Sequence, residues 1–280
     1  MAGPDLSRIN TNIAALNALK ALRDANTQVA VRQLRLATGK RINNPGDDPA
    51  GLVFAKTLES RVRGMSVARD NVGDVSNLIA TAEGGLQNVE ELLLIMKEKI
   101  LQAANDTLGT EERAAVESQL DELAAEIDDI VATTTFGGTV MLNGTFTGRQ
   151  FQVGQAATDT LAFGIAQDHT ASGLSVADAD LVVTDTATAS TALSNVNAAI
   201  TTVNTNLQTL GSTQMRVGIK EANLSVSINN MLASHNRIMN ADMAAEQMEL
   251  VKFTLLQQSA TAMLAQANFA PQSVMQLISG

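Results

Sequence analysis

Apolar residues recur every three or four positions along most of this chain, the spacing of one face of an α-helix. Residues 6–38 carry Ile9, Ile13, Leu16, Leu19, Leu22, Val29 and Leu36 in this rhythm and predict a first helix. Gly39 followed by Lys40-Arg41 predicts its exit, because glycine accepts the left-handed cap and positive charge suits the carbonyl end. Asn43-Asn44-Pro45-Gly46-Asp47 is turn chemistry, and Asp48-Pro49 supplies an N-cap and a first helical position for the next helix. From Leu58 the apolar positions run Val62, Met65, Ala68, Val72, Val75, Ile79, Ala82, Leu86, Val89, Leu93, Met96, Ile100 and Ala103. That mean period near ~3.5 is a coiled-coil seam, and at about 1.5 Å per residue it predicts a rod roughly 70 Å long. A shorter helix after Gly109 places Val116, Leu120, Leu123, Ile127 and Ile130 on one side.

The rhythm fails over residues 133–189, which hold 12 threonines, 7 glycines and no glutamate. Alternation at 140–146, 151–153 and 161–165 predicts short hairpin strands there. Heptads resume at Leu193, Val196, Ile200, Val203, Leu207, Leu210, Val217, Leu224, Ile228, Met231 and Ile238. Around Asn240-Ala241-Asp242 the phase shifts, and Met243, Leu250, Phe253, Ala260, Leu264 and Ala267 form a last register ending near Pro271. The expected fold is mainly α, a long antiparallel coiled-coil rod with a small β-hairpin insertion. Its core residues are Leu58, Val72, Ile79, Leu86, Leu93 and Ile100 facing Leu193, Ile200, Leu207, Leu224 and Met231. Apolar stripes at both ends are odd for a monomer, since chain ends fray in water, and they invite partners in other molecules.

Composition removes most chemistry. The chain has no cysteine, tryptophan or tyrosine, so disulfides, Cys-ligated metals, thiol nucleophiles and large aromatic anchors are absent. Its two histidines, His169 and His235, are too far apart for a close-spaced metal pair. The carboxylates Glu117, Asp121, Glu122, Glu126, Asp128 and Asp129 read as a solvated helix face rather than a divalent-cation site. No catalytic, cofactor-binding or metal residue is assigned, and no enzyme activity is expected. Residues 1–70 are net +5 and the remainder net −15. The basic part lacks the density and stacking rings of a nucleic-acid binder, so complementary self-association is a better reading of that asymmetry, with a solvated surface the default explanation. No apolar run is long enough for a cleaved signal or for membrane insertion.

The motifs at the two ends resemble one family. Ile9-Asn10-Thr11-Asn12-Ile13-Ala14-Ala15-Leu16-Asn17, Leu34-Arg35-Leu36-Ala37-Thr38-Gly39-Lys40-Arg41-Ile42-Asn43 and Asp47-Asp48-Pro49-Ala50-Gly51-Leu52 resemble the start of bacterial flagellins. Ala241-Asp242-Met243-Ala244 and Leu255-Leu256-Gln257-Gln258-Ser259-Ala260-Thr261-Ala262-Met263-Leu264-Ala265-Gln266-Ala267-Asn268 resemble their C-terminal signature, and Phe151-Gln152-Val153-Gly154 a strand of their hairpin. The resemblance implies a minimal flagellin without outer variable domains, a subunit polymerising head-to-tail into the extracellular filament used for motility. It implies a terminal-helix core of 1–44 with 236–280 inside the filament, a rod of 45–132 with 190–235, and an insertion at 133–189. Inner contacts are then expected at Ile9, Ile13, Leu16, Leu250, Phe253, Leu264, Val274, Leu277 and Ile278. Implied partners are further copies of the chain, the hook-junction and cap proteins, the flagellar export apparatus and an export chaperone. Export without a cleaved signal peptide follows from the same resemblance. The hook–filament junction protein of the same superfamily is the alternative. Some family members are sensed by an innate immune receptor through the second helix, where this chain has Ile95 in place of an arginine and Lys99 in place of a leucine.

Overall fold

The computed structural model describes the backbone of residues 12–279 and the side chains of residues 12–269. Contacts divide it into two compact units, the described parts of 1–60 with 231–280, and residues 61–230. Five long helices carry both: α1 (Ile13–Thr38), α2 (Pro49–Ala103), α3 (Thr110–Thr133), α4 (Thr186–Met239) and α5 (Met243–Ser279). The last runs on through Pro271, where the sequence suggested an end.

In the first unit α1 begins where the Asn12 side chain accepts the Ala15 N–H at 3.0 Å, filling one of the donors that a helix start leaves open. It ends at Gly39, whose φ of +67° is left-handed, and the Gly39 N–H donates to the Arg35 carbonyl. α1 and α5 pair antiparallel. Asn12 Nδ2 donates to the Ala267 carbonyl at 2.7 Å, Gln257 Nε2 donates to Asn26 Oδ1 at 2.7 Å, and Arg32 and Arg35 meet Glu246 at the other end. Ala18, Ala25 and Ala260 are buried between the two helices, and such small side chains let the axes come close. The connections lock the register: Arg41 N–H donates to the Met239 carbonyl at 2.7 Å, and Ala241 N–H to the Gly39 carbonyl at 2.9 Å. Asp242 then caps α5 by accepting the N–H groups of Ala244 and Ala245. A small core of Ile42, Ala55 and Met239 lies under the turn. The Asp48-Pro49 reading holds, with Asp48 Oδ1 accepting the Gly51 N–H at 2.9 Å at the start of α2.

The second unit has one continuous core. α2 contributes Val72, Ile79, Leu86, Leu93, Met96 and Ile100, α3 contributes Val116, Leu120, Ile127 and Val131, and α4 contributes Val196, Val203, Leu210 and Val217. Arg113 ties the α2–α3 corner by donating to the carbonyls of Asn105 and Thr184. α3 runs back along α2, so that its C-cap Thr134 reaches Gly85: a Cβ there would lie 2.7 Å from Thr134 Oγ1 and 2.9 Å from Leu142 Cδ1. Neighbouring Gly84 faces open space. Gly84→Ala is therefore expected to raise stability by about 1 kcal/mol through helix propensity. Gly85→Ala should lower it by about 1–3 kcal/mol through overpacking. Thermal unfolding followed by circular dichroism reads the two signs.

The insertion folds as two small antiparallel hairpins, β1 (Thr135–Phe136) with β2 (Thr139–Val140) and β3 (Phe146–Gln152) with β4 (Thr160–Ile165). The strand expected at 140–146 is not formed. Gly144 turns the chain with φ +74°, while Met141 and Leu142 enter the core as an irregular segment. The alternation there came from packing against helices, not from a ladder.

Candidate self-assembly surface

α5 is apolar on more than one side, and that shapes the first unit. After Lys252 it contains no charged residue through Ser279. At about 100° per residue, Glu246, Leu250, Phe253, Gln257, Ala260 and Leu264 fall within an arc of roughly 80°, the arc that packs on α1. Val251, Leu255, Met248 and Met263 occupy an arc of roughly 120° on the far side. All four are exposed, Leu255 at 61%. A helix hydrophobic all round is a buried helix, and in the single chain α1 covers only one flank. α1 repeats the arrangement. Ala18 and Ala25 face α5, while Ile13 and Leu16 stand 63% and 58% exposed.

One polar cluster interrupts the seam. Arg32 Nη1 lies 2.9 Å from Glu246 Oε2 and Arg35 Nη1 3.1 Å from Glu246 Oε1, one guanidinium on each carboxylate oxygen. Arg32 also sits over the Phe253 ring, 5.7 Å from its centroid. Burial pushes the Glu246 carboxyl up, but the hydrogen bonds and charges of Arg32 and Arg35 outweigh it and hold the group below its ordinary value.

The structure thus sorts the expected inner contacts. Ile13 and Leu16 are free on the outer face of α1. Leu250, Phe253 and Leu264 are half-buried on the α1 side of α5, already covered within the subunit. Ile9 lies outside the described residues, as do the side chains of Val274, Leu277 and Ile278. Periodicity missed Met248, Val251, Leu255 and Met263; the signal available for the last two was the absence of charge after Lys252. Of the expected rod residues, Val72, Ile79, Leu86, Leu93 and Ile100 are buried in the second unit's core, with Leu193, Ile200, Leu207 and Leu224 packed half-buried against it. Leu58 is buried and Met231 half-buried in the first unit. The second unit has its own exposed apolar row on α4, Met215, Ile219 and Val226, spaced four and seven apart.

Several groups that could suggest chemistry are occupied structurally. Glu117 Oε2 accepts the Val183 N–H at 3.3 Å, and Asp128 Oδ1 accepts the Ala171 N–H at 2.8 Å, fastening the insertion to α3. Burial first, then the charge and hydrogen bond of Asp178 and the charge of Glu117, raise the Asp121 carboxyl. His169 is fully buried, its Nδ1–H donating to the Leu142 carbonyl at 3.3 Å, and burial lowers its pKa so that the ring stays neutral. Half-buried His235 lies in the first unit. Among the described residues no three histidine, aspartate or glutamate side chains are grouped to hold a metal ion. Nor is any helix among them long and apolar enough to cross a membrane.

Comparisons with known proteins agree with this geometry. The bacterial flagellin N-terminal helical region matches residues 9–147, and the bacterial flagellin C-terminal helical region matches residues 193–278. A flagellin of Halalkalibacterium halodurans is 34% identical over 271 residues, covering 96% of this chain and 99% of that protein. A flagellin of Bacillus subtilis is 36% identical over 305 residues, covering 97% and 99%. Among solved structures, one from Vibrio parahaemolyticus assigned to the flagellar hook-associated proteins superposes with a TM-score of 0.61 at 15% identity, over 69% of this chain and 100% of that one. That last likeness is one of fold alone.

Proposed function

The chain belongs to the bacterial flagellin family, and from that premise we propose that it is a structural subunit polymerising head-to-tail into the extracellular flagellar filament, without catalytic activity. The observation that carries the mechanism is the outer apolar face of α1 and α5, which one subunit leaves in water. Neighbouring subunits bury it, and because each copy offers one face and receives another, the contact is heterologous and does not close. In this reading residues 1–44 with 236–280 line the filament interior and 45–132 with 190–235 form the rod. The insertion at 133–189 is part of that rod. Ile13, Leu16 and the outer face of α5 make the inner contacts, joined by Ile9, Val274, Leu277 and Ile278. The exposed α4 row of Met215, Ile219 and Val226 meets further subunits. Export through the flagellum's own secretion apparatus, without a cleaved signal and with an export chaperone, fits a member of this family. Hook-junction and cap proteins are the expected partners at the two filament ends.

Seeded assembly tests this. Sheared filaments are added to purified subunit under salting-out conditions, and growth is followed by light scattering and negative-stain electron microscopy. Long uniform filaments, lost on deletion of residues 1–20 or 261–280, are expected. Addition to tips followed by arrest would identify the hook–filament junction protein instead. Absence of binding by the intact chain would overturn the polymer reading.

A further inference from the structure

Two thioethers stand on the outer face of α5, Met248 at 69% and Met263 at 65% exposure. They flank Leu255 on the arc turned away from α1. Lys252 shares that arc, with its ammonium drawn toward Glu249 at 3.2 Å and lying 5.4 Å from the Phe253 centroid. Met96 and Met141, by contrast, are fully buried in the second unit. A thioether is soft and reactive toward peroxides in proportion to its access. We propose that Met248 and Met263 are oxidative modification sites that gate assembly: hydroperoxide oxidation of these two residues in the free subunit switches off polymerisation, and incorporation into the filament shields them. The proposal rests on the polymer reading above.

The chemistry balances with one named co-reactant. A sulfur lone pair attacks one oxygen of hydrogen peroxide, the O–O bond breaks, an S–O bond forms, and water leaves. Sulfur loses two electrons and peroxide gains them. The product replaces an apolar, pliable group by a sulfoxide with a strongly accepting oxygen. On an exposed monomer surface that oxygen is solvated and costs nothing. Pressed against a neighbour's apolar face without a donor, it is a buried unpaired acceptor. The oxidised subunit therefore folds as before and fails at the docking step. Methionine sulfoxide reductases, one for each sulfoxide epimer, reverse the lesion.

Peroxide is applied separately to free subunit and to finished filaments, oxidation is mapped by peptide mass spectrometry, and each preparation is assayed for seed elongation. In the free subunit Met248 and Met263 are expected to oxidise while Met96 and Met141 do not. Elongation then falls at least about tenfold, from the unpaired sulfoxide at the contact, and treatment with both reductases restores it. In filaments the two residues oxidise at least about tenfold more slowly, because access governs the rate. Measured against its own untreated rate, Met248→Leu with Met263→Leu loses less elongation on peroxide treatment than the wild type does, whereas Met243→Leu loses as much as the wild type. Normal elongation by oxidised wild-type subunit, undiminished sensitivity of the double variant, or equal oxidation rates in subunit and filament would each overturn the proposal. The wild-type rescue by the reductases stands without either variant. If untreated subunit does not elongate seeds, the polymer reading fails and takes this proposal with it; failure confined to the peroxide arm overturns this proposal alone.

Discussion

A Leu255→Asp subunit remains a folded monomer and does not elongate filament seeds. Leu255 is 61% exposed, so the aspartate is solvated in the free chain and displaces no packed neighbour. The only monomer cost is the poorer helix propensity of aspartate, about 0.5 kcal/mol. In the proposed filament contact the same position is buried among apolar groups. Losing the leucine forfeits about 2 kcal/mol of burial, and desolvating an unpaired carboxylate adds several more. Unlike lysine, aspartate is too short to carry its charge out to water along a flexible stem. The critical concentration should therefore rise at least about 100-fold, corresponding to a loss of about 2.7 kcal/mol per subunit added. Leu255→Met conserves volume and polarity and should elongate within a factor of about three. Sedimentation after seeding measures both, and circular dichroism checks that the monomer is unchanged. If Leu255→Asp polymerised like the parent, the outer face of α5 would not be the contact.

The contrast between Leu255 and Leu250 shows where sequence reading stops. Helix limits were legible where one residue type had a specific backbone or capping duty, as at Gly39 and Asp48-Pro49. The core face of α2 was legible because apolar residues recur along it without a break, so Ile79, Leu86 and Leu93 fall at their period and are fully buried. In α5 periodicity selects Leu250, Phe253 and Leu264 as one stripe, yet cannot say whether that stripe meets its own chain or another. In the structure α1 covers it, and the second stripe is left exposed on the single chain. The strand expected at 140–146 failed for a related reason, since alternation records which side chains are buried and not what buries them. The clamp on Glu246 was illegible, because Arg32 lies 214 positions away and only the folded α1–α5 hairpin brings the charges together.

Replacing Glu246 by alanine is the other substitution with a large expected effect, this time on the subunit itself. The side chain is about 10% exposed and receives one guanidinium on each oxygen. Its removal leaves Arg32 and Arg35, each about 20% exposed, facing each other without an anion. Partial access lets them swing toward water, so the cost is put at about 1–3 kcal/mol, the range for stranding a buried hydrogen-bonding group. That cost falls on the α1–α5 pairing, so amide exchange should accelerate there while the core of the second unit keeps its protection. The pH dependence has a definite sign. The Glu246 carboxyl titrates below its ordinary value of 4.5 in the folded chain, so the unfolded chain binds the proton first on acidification. The stabilisation is complete above about pH 4.5 and is lost as pH falls through the lower folded value. Glu246→Gln keeps the shape and some hydrogen bonding but cannot titrate. Its stability should lie between those of parent and Glu246→Ala at pH 7, and the parent should converge on it as pH falls through the lowered folded value. A Glu246→Gln variant as stable as the parent at pH 7 would mean that hydrogen-bond geometry alone, without charge, joins the two terminal helices. The α1–α5 hairpin would then owe its register to the Arg41–Met239 and Ala241–Gly39 backbone bonds rather than to the ion pair.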